Sequence, residues 1–257
     1  MTPVVTLLRA GLLAGFALIG VATGVAEPAK ISCRVADNLL AMQGRLDRAT
    51  LSLKGEDAFR VLVIGSSSTA GVGATAPDKA YTERLEQDLS RRLAGVPVEV
   101  IARGIGGETA AGAESRMARE IAAAKPDLVV WQIGTNDAAR RIAVDVFRET
   151  TLKGLAQIAK AGVDVALLDP QFVPQDEAAY APYLAAIEQV SAAAGAPVVH
   201  RYAAMRALTQ AGGADMLSRD RLHMNDIGHA CVGSLLAEAL GRKLAPLPAV
   251  AEATKRS

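Results

Sequence analysis

After residue 53 the chain alternates between short apolar runs and longer stretches whose apolar positions recur every three or four residues. RVLVIG (60–65), VPVEVIAR (96–103), DLVVWQIG (127–134), VDVALLD (163–169) and APVVHR (196–201) predict strands. Between them, YTERLEQDLSRRLAG (81–95) predicts a helix, with Leu85, Leu89 and Leu93 on one face and Gly95 as its stop. Residues 111–125, ended by Pro126, predict a second helix, and residues 144–162, 177–195 and 226–244 predict three more. Residues 34–53, with Leu39, Leu40, Met42 and Leu46, read as a helical lead-in. Strands alternating with helices of this length make a parallel sheet covered on both faces, a three-layer α/β/α sandwich with five strands. Such sheets carry their sites in the loops at the carboxyl ends of the strands.

The ends of the chain fall outside that pattern. Residues 1–26 hold a single charged side chain, Arg9, followed by the uncharged run GLLAGFALIGVATGVA, with Gly24 and Ala26 just before Glu27. This reads as a secretory signal peptide, which places the protein in the periplasm or outside the cell. The alternative is an uncleaved amino-terminal anchor. The expected folded domain is then 27–244, and APLPAVAEATKRS (245–257) reads as a disordered tail.

Composition narrows the function. The net charge of the chain is +1, and with Arg9 removed the two signs balance, so no basic excess points to nucleic acid. With neither a basic patch nor heptad repeats, a monomer is the default. The only two cysteines are Cys33 and Cys231. In an exported chain the pair reads as a disulfide tying the amino-terminal segment to the last helix, with two separate buried thiols as the alternative. KISC (30–33) lacks the apolar-small-small run of a lipidated cysteine.

Candidate chemistry lies in the loops. VLVIGSSSTAGVGA (61–74) places Ser66, Ser67, Ser68 and Thr69 directly after the first predicted strand. No lysine follows as a phosphate-binding Walker loop requires, and in GIGGET (104–109) Thr109 stands where a dinucleotide fingerprint needs its third glycine. A serine nucleophile needs a base. The candidates are the three histidines, His200, His223 and His229. His200 ends a strand and reads as structural or surface. His229 lies within the closing helix, where a helix-surface histidine is the plain reading. His223 follows Asp220 in DRLH, and a carboxylate three residues before an imidazole can accept from Nδ1–H in a tight turn and leave Nε2 free.

Taken together, GSSSTAGVG, GIGGET, GTND and DRLH resemble, in order, four sequence blocks of the SGNH/GDSL hydrolase superfamily. They fall between residues 61 and 229. The resemblance implies a flavodoxin-like hydrolase fold and a serine esterase that needs no metal or organic cofactor. It aligns Ser67 with the nucleophile and Asp220 and His223 with the acid and base. It aligns the Ser67 N–H, the Gly107 N–H and the Asn136 side chain with the oxyanion-hole donors. Two positions depart from the family pattern: Ser66 replaces its block-one aspartate, and Ala102 replaces the asparagine that often opens block two. The first leaves Ser66 and Ser68 flanking the nucleophile, although Gly65, Thr69 and Gly71 set the register on Ser67.

The expected substrate is a small-molecule or carbohydrate ester with a short acyl group, for example acetyl on an envelope polysaccharide. Alternatives are a carbohydrate O-acyltransferase using the same residues, a lysophospholipase or thioesterase, and a non-catalytic binding module. The loop 169–183 should wall the site, and its Phe172, Tyr180 and Tyr183 either pack against substrate or pack against the protein.

Overall fold

The computed structural model describes residues 32–55, 57–212 and 215–244. The signal-peptide and tail assignments, 1–26 and 245–257, lie outside the described residues.

Five strands, β1 (Phe59–Gly65), β2 (Val98–Gly104), β3 (Leu128–Gln132), β4 (Asp164–Leu168) and β5 (Val198–Val199), form one parallel sheet in the order β2-β1-β3-β4-β5. The helices are α1 (Asp47–Ser52), α2 (Tyr81–Arg92), α3 (Ala110–Ala124), α4 (Thr135–Ala139), α5 (Val144–Lys160), α6 (Glu177–Ala194), α7 (Arg201–Gln210) and α8 (Asp226–Leu244). This strand order is the flavodoxin-like one, and the predicted α/β fold with its five-stranded parallel sheet holds.

The central strands are apolar because both their faces are covered. Every residue of β3 is buried, as are Val61, Leu62, Val63 and Ile64 of β1. Helix α2 packs against α8, and α3 packs against α5. Connections from β1 run to β2 on one side and on to β3 on the other, so the sheet reverses between β1 and β3. Their carboxyl ends carry the hydroxyl cluster and GTND, and that reversal is where open α/β sheets bind ligands.

Two expectations need correction. The helical lead-in shrinks to Asp47–Ser52, preceded by a single short 3-10 turn at Asp37–Leu39. Gly44 adopts φ +80°, a left-handed conformation that breaks a helix, while Leu40, Met42 and Leu46 still bury their side chains. The last predicted strand keeps only Val198–Val199, and the chain passes at once into α7, which the periodicity reading lacked.

Cys33 and Cys231 are disulfide-bonded, joining the start of the described chain to α8 across 198 positions.

Candidate active site

β1 ends at Gly65, and the next residues wind into a tight turn. Ala70 N–H donates to Ser66 O, Gly71 N–H to Ser68 O and Val72 N–H to Ser67 O, at 3.0, 3.1 and 3.0 Å. The hydroxyl residues of this turn have different surroundings. Ser66 donates from both its N–H and its Oγ to Gln132 Oε1, at 2.8 and 3.1 Å. Ser68 Oγ donates to Gln171 Oε1 at 3.0 Å, and Thr69 Oγ1 pairs with the Tyr81 hydroxyl at 2.7 Å. All three are buried, whereas Ser67 is partly exposed. The Ser67 hydroxyl lies 3.1 Å from His223 Nε2.

The imidazole is presented by a turn ahead of α8. Ser218 N–H donates to the His223 carbonyl, and Leu217 bridges Met224, closing the turn. Arg221 sits in the left-handed region at φ +60°. Asp220 Oδ1 accepts from the N–H groups of Leu222 and His223, each at 3.0 Å, and Oδ2 lies 2.6 Å from His223 Nδ1. The hydrogen bond from His223, then that from the Leu222 N–H, holds the Asp220 carboxyl down at about 2. The carboxylate therefore stays ionised and fixes the proton on Nδ1. Nε2 is left with its lone pair toward Ser67. The pair is open to solvent: the side chains of Asp220 and His223 are 50% and 23% exposed.

Gly107 comes from the loop after β2, and Asn136 from the first turn of α4, which follows β3. Gly107 has φ +73°, which glycine adopts without strain. Ile105 N–H donates to Gly65 O, seating this loop against the turn that carries Ser67. The Asn136 side-chain amide donates to Glu108 O at 2.8 Å, so Asn136 and the Gly107 loop hold one another. Among the described residues, the N–H groups of Ser67 and Gly107 have no acceptor. Buried polar pairs brace these loops. Arg116 forms a salt bridge with Glu108 at 2.5 Å and donates to Arg103 O at 2.8 Å. Asp137 accepts from the Ala110 N–H at the start of α3. Burial pushes the Asp137 carboxyl up.

The other sequence candidates lie elsewhere. His200 flanks α7, with Nδ1 3.5 Å from Glu188 Oε1. His229 is fully buried, which corrects its reading as a helix-surface residue. Its Nδ1 accepts from the Tyr81 N–H at 3.2 Å, and its Nε2 lies 3.1 Å from Val72 O, so it clamps the chain after the Ser67 turn to α8. Phe172, Tyr180 and Tyr183 are core residues: Phe172 and Tyr180 pack on Tyr202, and Tyr183 packs on Phe147.

Sequence reasoning missed the glutamines. Gln132 gathers the turn that carries Ser67, accepting from Ser66 and Thr69. Gln171 accepts from Ser68 and donates to the Leu222 carbonyl, and Gln175 donates to the Arg221 carbonyl at 2.7 Å. Two side-chain amides from the loop after β4 thus hold the turn that carries His223. A readable signal existed: Gln132 and Gln171 each sit at or just past the end of a buried apolar strand, where a long polar side chain must find partners.

A family model matches residues 32–246 of the chain, and it describes the Non-GDSL lipase-like family. The chain belongs to that family. Over 141 residues it is 33% identical to the esterase TesA of Pseudomonas aeruginosa, a stretch covering 54% of this chain and 66% of TesA, just under two thirds of that protein. The crystal structure of a lipase/acylhydrolase from Enterococcus faecalis superposes with a TM-score of 0.62 at 28% identity, over 74% of this chain and 99% of that one. The acetyl xylan esterase AlAXEase superposes with a TM-score of 0.61 at 23% identity, over 70% of this chain and 99% of that one, and shares the fold. The resemblance to the SGNH/GDSL hydrolases therefore holds, and the relatives of this Non-GDSL lipase-like chain are esterases and lipases.

Proposed function

We propose that the protein is an exported serine esterase in which Ser67 is the nucleophile, His223 the base and Asp220 the group that orients it. One observation carries the reading: among the hydroxyls of the turn, the partly exposed one is also the one within 3.1 Å of an imidazole whose other nitrogen is held by a carboxylate. His223 Nε2 takes the Ser67 proton as Oγ attacks the ester carbonyl. The charge that develops on the carbonyl oxygen is met by the N–H groups of Ser67 and Gly107 and by the amide N–H of Asn136 that Glu108 does not occupy. The imidazolium gives its proton to the leaving alcohol. Water then repeats the sequence on the acyl-enzyme and releases the acid.

A short acyl group, such as acetyl on a carbohydrate, suits an open site whose neighbouring aromatic side chains are committed to the core. Export is supported by the amino-terminal pattern and by the Cys33–Cys231 disulfide, a bond of oxidising compartments. Among the described residues no helix is long and apolar enough to cross a membrane.

The test is peptide mapping by mass spectrometry after one equivalent of an organophosphonate. The expected result is a single adduct on Ser67, lost in Ser67→Ala together with turnover of para-nitrophenyl acetate. An adduct on Ser66 or Ser68 would overturn the assignment of the nucleophile. No adduct on folded protein would replace the enzyme with a binding module.

A further inference from the structure

α4 ends one turn after Asn136, and the chain there presents Arg140 and Arg141, both exposed. The turn is firmly held. Arg140 N–H donates to Asn136 O, Arg141 N–H to Ala138 O and Ile142 N–H to Asp137 O, at 2.9, 3.0 and 3.0 Å. The Tyr183 hydroxyl closes it by donating to the Ile142 carbonyl. Arg141 adopts φ +54°, a left-handed conformation that is strained for a non-glycine residue and persists when surrounding contacts impose it.

This turn lays a guanidinium against the loop after β2. A Cβ placed on Gly107 would lie 2.9 Å from Arg140 Nη2, so the cation rests against the glycine whose N–H faces the developing oxyanion in the proposed mechanism. The carboxylates closest in the chain and in the site are already engaged. Glu108 is paired with Arg116, and Asp137, although within the field of the Arg140 charge, is buried and accepts from the Ala110 N–H rather than from Arg140. Among the described residues Arg140 has no salt-bridge partner, whereas Arg103 and Arg221 around the same loops each have one and Arg116 has two.

Resting on the esterase reading above, we infer that Arg140 forms an anion subsite beside the oxyanion hole, and that the preferred substrate is an ester carrying a carboxylate close to the scissile carbonyl. An O-acetylated uronate is the matching carbohydrate. An unpaired guanidinium offers a fork of N–H donors that a carboxylate meets with two parallel hydrogen bonds. A neutral sugar ester leaves that fork to water.

The test compares kcat/KM for charged and uncharged esters of matched reactivity. One pair is mono-para-nitrophenyl fumarate against para-nitrophenyl methyl fumarate, with the charge on the acyl side and held trans so that it cannot attack its own ester. The other is para-acetoxybenzoate against its methyl ester, with the charge on the leaving alcohol. The readout is the charged-to-neutral ratio in the native protein and in Arg140→Ala, Arg140→Lys and Arg140→Glu, each checked for native circular dichroism. At least one pair should favour the charged ester. Its ratio should fall about tenfold in Arg140→Ala, the scale of one charge-assisted hydrogen bond. The ratio should recover in part with lysine and invert with glutamate, and it should shrink as salt is raised. Ratios that are the same in all four proteins overturn the inference while leaving the esterase intact. No turnover of any ester by native protein overturns the esterase reading, and the inference with it.

Discussion

Gln171 binds Ser68 and Leu222 at once. Its Oε1 accepts from the Ser68 hydroxyl at 3.0 Å, and its amide N–H donates to the Leu222 carbonyl. Ser68 follows Ser67, and Leu222 precedes His223. One buried amide therefore spaces the nucleophile turn from the base turn, two segments that approach from distant parts of the sequence.

That spacing gives the first prediction. Gln171→Leu keeps much of the bulk but removes both hydrogen bonds, leaving a buried carbonyl and a hydroxyl without partners. Misplacing a base by about 1 Å can cost on the order of a hundredfold in rate. The variant should lose 10- to 100-fold, roughly, in kcat with a smaller change in KM, measured on para-nitrophenyl acetate. Unchanged kcat in a folded variant would show that the two turns hold their distance without Gln171.

His229 sets a pH dependence of stability. Burial, the largest influence, lowers its pKa from 6.5, so the native state keeps the imidazole neutral between the Tyr81 N–H and the Val72 carbonyl. Below 6.5 the unfolded chain binds a proton that the native chain refuses until lower pH. Stability contributed by this site is therefore complete above 6.5 and is lost as pH falls below it. The carboxylates Asp220 and Asp226, both held at about 2, lose their contributions only at lower pH, once the unfolded carboxylates begin to protonate. Burial raises the Asp169 carboxyl to about 7 and works in the opposite sense over the same range, so the His229 contribution is read as a difference: from near neutral to about pH 5 the urea midpoint of the native protein should drop relative to that of His229→Gln. An identical slope in both proteins would refute this role for His229.

The Cys33–Cys231 disulfide pins the amino-terminal segment to α8, the helix that directly follows the base turn. Cross-linking distant positions restricts the unfolded chain, and removing a native bridge typically costs about 2–5 kcal/mol. Reductant, or the double variant Cys33→Ser with Cys231→Ser, should lower the urea midpoint accordingly, while Ser67 still accepts the phosphonate. An unchanged midpoint under full reduction would mean that packing of the segment alone secures it.

Much of this protein is present in its one-dimensional pattern. Apolar runs such as VLVI and LVVW, with no polar alternation, already require strands covered on both faces, and four-residue leucine spacing requires the helix that covers them. Asp220 and His223 are legible as a pair because local backbone geometry suffices to join residues three apart. Cys33 and Cys231 are legible because, in an oxidising compartment, two thiols have one pairing to make. Gly44 shows where the pattern misleads: Leu40, Met42 and Leu46 are apolar for the core, yet a left-handed glycine between them prevents one continuous helix.

The fold alone decides what depends on distant neighbours. Sequence spacing places Ser66, Ser67 and Ser68 side by side, and only the packed turn buries two of them on glutamine amides and leaves Ser67 facing His223. His229 looks like a surface residue on a helical wheel until α8 packs onto α2 and encloses it. Arg140 is one more exposed cation until the loop after β2 brings Gly107 beneath it. The reason is common to all of these. A residue's secondary structure follows from its chain neighbours, but its burial, hydrogen-bond partners and surrounding charge come from segments that the chain brings together only on folding.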